Sequence, residues 1–283
     1  VTVDELVRAA TGRLREAGVA SPEVDAELLL SHVMGLDGPE LRRARVMREQ
    51  VTPEAHGAFL DLVVRRADRV PLQHLTGTAW FAGLELLVGP GVFVPRPETE
   101  TLVRLALAAL EPWPSPSVVD LCTGSGAIAL ALAHRRRDAH VGAVELSPDA
   151  HRYAQANLGR TGLPVDLRLG PAQESFEDRL GRVDLVVTNP PYIPPDAVPV
   201  DAEVRDHDPE LALYGGGADG LLLPRLLAER ATVLLRPGGV LLMEHADVQS
   251  AAVVELLTRA GWSDVTDHED LTGRPRVVSA TRR

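Results

Sequence analysis

The run Val183-Asp184-Leu185-Val186-Val187-Thr188 is almost entirely apolar or β-branched, and it stops abruptly at Asn189-Pro190-Pro191-Tyr192. Such a run predicts a strand covered on both faces, the environment of a parallel sheet between helices. Proline has no N–H to give and a fixed φ, so Pro190-Pro191 ends the strand and stiffens the turn. The turn carries an Asn carboxamide, carbonyls with no ladder partner and an aromatic ring. It stands at the carboxyl end of a strand, where open α/β sheets bind ligands. That combination suits a flat group bearing an NH2. The Asn189 amide oxygen and the Pro190 carbonyl each accept one N–H, and Tyr192 covers the π face.

From Val118 onward, strand and helix patterns alternate. Strands are expected at 118–121, 140–146, 165–169, 183–188 and 240–245, and helices at 127–134, 147–158, 221–235 and 248–260. Pro237-Gly238-Gly239 reads as the break between the last helix pair's first member and its strand. Alternation of this kind means βαβ units and a mostly parallel sheet. Two late strand patterns, 263–268 and 276–280, have no helix between them, which implies a hairpin and one antiparallel strand. The first 70 residues read as all-helical. Thr2-Val3-Asp4-Glu5 has the capping-box spacing, and Pro22, Pro39 and Pro53 sit at helix starts. Trp80-Phe81-Ala82-Gly83-Leu84-Glu85-Leu86 predicts a hairpin turning at Ala82-Gly83. The expected domains are a helical recognition module at 1–75, a hairpin linker at 76–97 and a catalytic domain at 98–283.

Asp120-Leu121-Cys122-Thr123-Gly124-Ser125-Gly126 takes the first of these strands through a glycine-rich turn into a helix. Glycines there permit the turn and let a ligand approach the backbone. Glu145 ends the next strand, about 20 residues on, where an acid accepts hydrogen bonds from ribose hydroxyls. The pair indicates a nucleoside-containing cofactor, NAD or S-adenosylmethionine. The acid Asp120 just before the loop favours the latter, because it can face the methionine end.

Composition narrows the partners. The formal charge is −11 and all 29 basic residues are arginine, an unusual balance for a chain that grips bare nucleic acid. A single cysteine, Cys122, excludes a disulfide framework and a cysteine-based zinc site. No run of about 18 apolar residues is present, so a cytoplasmic protein without a membrane span is expected. No exposed apolar helix suggests an obligate dimer, so a monomer is expected. Residues 1–75 carry a net −2 and group their arginines at Arg42, Arg43, Arg45 and Arg48, then Arg65, Arg66 and Arg69. The plainer account is solvated helix faces; the functional one is docking on an acidic or RNA-carrying partner. Asp196, Asp201 and Glu203 are assigned to a solvated substrate loop.

Asn before Pro-Pro-aromatic, on the fourth strand after a glycine loop, resembles the signature of S-adenosylmethionine-dependent methyltransferases acting on conjugated amino nitrogens. Adenine and side-chain amides both fit. Further stretches, in order, are similar to the bacterial peptide chain release factor glutamine methyltransferases. They are Pro71-Leu72-Gln73-His74-Leu75-Thr76-Gly77, Val94-Pro95-Arg96-Pro97-Glu98-Thr99-Glu100, Leu211-Ala212-Leu213-Tyr214-Gly215-Gly216 with Asp219-Gly220-Leu221, Pro237-Gly238-Gly239 with Glu244 and Gln249, and Gly273-Arg274-Pro275-Arg276-Val277-Val278. The Arg-Pro-Glu-Thr-Glu stretch discriminates, because adenine methyltransferases need not carry it.

The resemblance implies an α/β fold: a Rossmann-like methyltransferase sheet, mostly parallel with one antiparallel strand, behind a helical bundle and a linking hairpin. It implies methylation of the glutamine in the Gly-Gly-Gln motif of release factors, with S-adenosylmethionine as cofactor and S-adenosylhomocysteine as product. Cys122, Thr123, Gly124, Ser125, Gly126, Glu145 and Asn189 would then contact the cofactor, and Asn189, Pro190, Pro191 and Tyr192 the target amide. Arg96-Pro97-Glu98 resembles part of the cofactor-side wall, and Arg96 and Glu98 are also expected among the substrate-binding residues. The alternatives are an N6-adenine methyltransferase, an NAD-dependent oxidoreductase and a catalytically dead binding module. Cys122 stands where the family usually has glycine, so a negative φ is expected there. Glu145 replaces a more usual Asp, His245-Ala246 a usual Ile-Gly, and Asp208 a common Glu.

Overall fold

The computed structural model describes residues 1–283. Helix α1 (Val3–Glu16) starts on a reciprocal cap: the Thr2 hydroxyl accepts from Glu5 N, and the Glu5 carboxylate accepts from Thr2 N. Helix α2 (Pro22–Met34) begins on proline and ends at Gly35 in the left-handed region. Helices α3 (Gly38–Val46), α4 (Pro53–Ala67) and α5 (Leu72–Thr76) follow, the first two capped by Asp37 and Thr52. Their apolar stripes converge on Leu14, Leu29, Leu30, Leu41, Phe59 and Val63. Each such large side chain stabilises the unit by roughly 1.5–3 kcal/mol.

The hairpin β1 (Thr78–Phe81) and β2 (Leu84–Leu87) turns at Ala82 and Gly83, both at positive φ. A short 3-10 turn at Pro97–Thr99 leads into α6 (Glu100–Leu110). Then come β3 (Ser117–Leu121), α7 (Ala127–Arg135), β4 (His140–Glu145), α8 (Pro148–Thr161), β5 (Val165–Leu169) and β6 (Val183–Thr188). The chain continues through α9 (Ala202–His207), α10 (Leu222–Leu234), β7 (Leu235–Glu244), α11 (Ser250–Arg259), β8 (Ser263–Glu269) and β9 (Pro275–Thr281). The seven-stranded sheet has the order β5-β4-β3-β6-β7-β9-β8. Only β9 runs against the rest, pairing antiparallel with both β7 and β8. Val183, Leu185, Val186 and Val187 of β6 are fully buried, which matches the run of apolar residues that defines it.

Two expectations change. Residues 237–239 lie inside β7 rather than separating helix from strand. Val183 pairs with Leu235 and Leu185 with Val240, so the extra residues form a bulge opposite Asp184. Glu203 and Arg66 are not solvated: they are 8% and 6% exposed. One compact unit comprises Val1–Thr78 together with Pro199–His207, and the other Ala79–Val198 with Asp208–Arg283. Within the first, Arg66 Nε donates to Asp25 Oδ2 at 2.6 Å, Nη2 to Glu203 Oε1 at 2.8 Å and Nη1 to the Val70 carbonyl at 3.1 Å. Arg69 donates to both Glu203 oxygens. Burial alone would raise the Glu203 pKa, but hydrogen bonds led by Arg69 outweigh it and hold the carboxyl below its usual range. Complete pairing is what makes the burial tolerable. No helix is long and apolar enough to cross a membrane.

The turn after β6 is braced by a later loop. Leu213 O accepts from Tyr192 N at 3.1 Å and Ile193 N at 2.8 Å, and Ile193 O accepts from Gly215 N at 3.1 Å. Gln249 Nε2 donates to Tyr192 O at 2.8 Å and Asp219 O at 2.9 Å. A Cβ on Gly220 would stand 2.2 Å from Tyr192 O, and one on Gly215 would stand 1.9 Å from Gly220 O. Gly220 also has φ +75°, whereas Gly162, at φ +63°, has open space around its missing Cβ. Gly162→Ala should therefore cost only the left-handed penalty, about 1–2 kcal/mol. Gly220→Ala should cost at least about 2 kcal/mol more, because backbone must move. Urea unfolding of the two variants measures the difference; equal losses would show that the close approach constrains nothing.

Candidate active site at the carboxyl ends of β3 and β6

Strand β3 has β4 on one side and β6 on the other, and the connections on the two sides run in opposite directions across the sheet. That is a topological switch point, where a crevice opens outside the strand ends. Leu121 and Thr188 are register partners, and Thr188 Oγ1 donates to Leu121 O at 2.6 Å. Cys122 and Asn189 are thus the first residues beyond the sheet on adjacent strands. The glycine loop and the Asn-Pro-Pro-Tyr turn, 67 residues apart in the chain, come side by side.

The glycine loop is held by its own acids. Asp120 is fully buried; its Oδ2 accepts from Thr123 Oγ1 at 2.6 Å and from Ala129 N at 3.2 Å, which fixes the first turn of α7. Its Oδ1 is buried without a hydrogen bond. Burial pushes the Asp120 pKa up to about 7 against the opposing pull of those hydrogen bonds. Glu145 Oε2 accepts from Gly124 N and Oε1 from Ser147 N, each at 2.8 Å. A Cβ on Gly124 would meet nothing within 4 Å, while one on Gly126 would press on Leu130 and Ala154. Gly124 therefore faces open space, and Gly126 admits helix α8. Cys122 departs from expectation: its φ is +66°, left-handed like the glycine it replaces. The turn geometry prevails over the side chain, at a cost of about 1–2 kcal/mol. Burial pushes the Cys122 thiol well above its usual pKa, and Thr188 is its side-chain partner. Such a thiol is a packing group rather than a nucleophile.

At the turn, Pro190 and Pro191 are buried and Asn189 is half-buried. Asn189 Nδ2 donates to Thr99 Oγ1 at 3.4 Å. Tyr192 faces Glu244, Arg276 and Glu98; burial first, then the Glu244 charge, holds its hydroxyl above the ordinary phenol range, while Arg276 opposes them. Arg96 stacks over the Phe93 ring at 5.0 Å and donates to Asp208 Oδ2 at 2.8 Å. The structure so gathers Glu98 with Tyr192, and ties Arg96 to Asp208.

Thr99, Glu244 and Arg276 carry no assignment from the sequence, yet they border the turn. Glu244 is 2% exposed, and burial drives its pKa up to about 7 while Thr99, Arg276 and Asn189 pull it down. The available signals were their place in the family-like stretches and, for Glu244, its position at the end of β7, the strand next to β6.

Residues 5–77 match the family described as the PrmC N-terminal domain, and residues 83–203 match the methyltransferase small domain. A release factor glutamine methyltransferase of Mycolicibacterium smegmatis is 50% identical over 278 residues, 98% of this chain and 96% of the relative. One of Streptomyces coelicolor is 50% identical over 282 residues with the same coverage. A T. thermophilus 16S rRNA N2 G1207 methyltransferase, solved with AdoMet and guanosine, superimposes with a TM-score of 0.52 at 23% identity, covering 73% of this chain and 50% of that one. The hMettl16 catalytic domain does so with a TM-score of 0.57 at 17% identity, covering 78% and 82%. At those identities the two structures speak for the fold alone. The sequence relatives extend over both compact units at half identity, and the chain belongs to the release factor glutamine methyltransferase family.

Proposed function

We propose that this protein transfers a methyl group from S-adenosylmethionine to the side-chain amide nitrogen of the glutamine in the Gly-Gly-Gln motif of peptide chain release factors. The observation that carries the reading is the register of β3 with β6, which sets a cofactor-type glycine loop beside an acceptor turn. The residues fit the cofactor. Asp120 Oδ1 is a buried acceptor without a partner, suited to an ammonium group. The Glu145 oxygens each take one backbone N–H and keep lone pairs for ribose hydroxyls. Gly124 leaves room for close approach. Cys122, Thr123, Ser125 and Gly126 complete the loop, and Asn189 borders it.

The bound cofactor supplies an electrophilic methyl on a sulfonium. The chain's own residues supply position. An amide nitrogen is a weak nucleophile because its lone pair is delocalised into the carbonyl. Asn189 Oδ1 and the Pro190 carbonyl, each accepting one N–H, raise electron density on that nitrogen and aim it at the methyl. Tyr192 and Pro191 bound the plane of the amide, and Arg96 and Glu98 line the approach. Transfer would release the cofactor as the neutral thioether S-adenosylhomocysteine, and the amide nitrogen, acidic only once methylated, would give its proton to solvent, so no strong base is required before transfer. Holding the reacting atoms in line accounts for much of the rate. Release factors are the protein partner in this reading, and the helical unit is the recognition module.

The test is methyl transfer from labelled S-adenosylmethionine to a purified release factor, with its Gln-to-Ala variant and adenine-containing DNA as controls. Label on the wild-type factor alone is expected; label on DNA alone overturns the reading. Asn189→Ala should keep cofactor affinity within about three-fold and lower transfer at least about 100-fold. Glu145→Ala removes a charged acceptor and should weaken cofactor binding roughly 10- to 100-fold, measured by calorimetric titration. Unchanged affinity in that variant would place the ribose elsewhere.

A further inference from the structure

An Asn carboxamide can present either edge to a ligand, and only the oxygen edge accepts N–H bonds. The acceptor role given to Asn189 therefore needs something that sets its flip. Met243 pairs with Thr188, so Glu244 and Asn189 are each the next residue along adjacent parallel strands. Thr99 and Asn189 both lie near enough to the Glu244 carboxylate to pull its pKa down against its burial. Asn189 Nδ2 reaches Thr99 Oγ1 at 3.4 Å. Glu244 Oε2 is buried with no close hydrogen bond. An ionised carboxylate can only accept. With Thr99 Oγ1 accepting from Nδ2, the Thr99 proton is left to point at an acceptor, and an ionised carboxylate at the end of the adjacent strand favours the Nδ2 edge over the oxygen edge.

We propose that Glu244 is a positioning residue for Asn189: with the Thr99 hydroxyl it holds the Nδ2 edge of the carboxamide and so presents Oδ1 to the nitrogen that is methylated. The inference rests on Asn189 being the acceptor for the substrate amide. It makes the orientation depend on the charge of one buried group. A protonated Glu244 can donate to Oδ1 and turn the amide round. Arg276 on β9 favours the ionised form, while Glu98 and burial favour the protonated one. Tyr192 lies against the same carboxylate, and the His245–Asp267 pair, 3.1 Å apart, joins the end of β7 to β8. The balance puts the Glu244 pKa near 7. Because the carboxylate is the working form, kcat at saturating S-adenosylmethionine falls as pH drops through that value, whereas Asp120, pushed to the same range, acts on cofactor affinity.

The chain has two asparagines, Asn157 and Asn189, which makes a direct readout possible without substrate. In protein labelled with 15N-asparagine, the Asn189 side-chain NH2 is assigned by its loss in Asn189→Ala. Asn157, whose amide bonds only to the backbone of Leu87 and Ser125, is the internal control. The Asn189 NH2 should shift with one midpoint near pH 7 in the wild type, and Asn157 should not. In Glu244→Gln, which can donate to Oδ1, the Asn189 shift should no longer titrate. That variant should keep its melting temperature and its KM for S-adenosylmethionine, lose about ten-fold or more in kcat, and lose the acid limb of kcat. Glu244→Asp, which restores an acceptor, should recover part of the rate. An Asn189 resonance that titrates unchanged in Glu244→Gln, or a kcat within about two-fold of wild type, overturns the proposal. A wild type that methylates no release factor overturns the functional reading instead, and the resonance titration still decides the role of Glu244.

Discussion

The pairing of β3 with β6 is the constraint from which the rest of the site follows. It joins the two halves of the sheet, and the Thr188 hydroxyl on the Leu121 carbonyl seals it at the end facing the crevice. A one-residue slip would turn every buried valine of β6 to the other face. It would also separate the glycine loop from the acceptor turn. The same register that buries the core therefore sets the distance over which a methyl group has to pass.

Around that pairing, the turn is held by backbone more than by side chains. Tyr192 and Ile193 bond to the 213–215 segment through main-chain groups, and Gly220 lies against Tyr192 O too closely for any Cβ. Gln249, just beyond the end of β7, adds a side-chain tie to the Tyr192 carbonyl, and Thr99 adds one to Asn189. Prolines 190 and 191 contribute by what they lack, since without N–H donors they draw the turn toward no competing ladder. Rigid surroundings of this kind spare the reaction the entropy of ordering the acceptors at each turnover.

Much of this was legible in the sequence, and the limits are physical. The apolar run of β6, the glycine loop and the alternation of elements are local signals, and the structure reproduces them with small shifts at their ends. The left-handed Cys122 was missed because residue type suggested a constraint that the turn overrode. The bulge at 237–239 was read as a break, since Pro-Gly-Gly looks alike in both until the partner strand is known. Glu203 looked solvated because its partners, Arg66 and Arg69, are remote in the chain. Thr99 and Glu244 lie in stretches that carry the family resemblance, but nothing in those stretches gives either residue a role of its own. Only the fold brings them to Asn189. Pairings between distant charges are what one-dimensional patterns carry least.

The Glu203 ion pairs bear on the order in which the chain acquires its structure. Domains tend to fold as they leave the ribosome, amino-terminal part first. The helical unit here emerges with Arg66 already facing Asp25, but its second carboxylate lies 137 residues downstream. Until residue 203 has been made, Arg66 lacks the second of its two carboxylate partners and Arg69 lacks the carboxylate to which it donates twice. A fragment ending at Thr78 thus differs from the unit in its charge balance as well as its length. The unit is completed from inside the catalytic half of the gene product, so its final consolidation waits on synthesis of the strand that carries the acceptor turn.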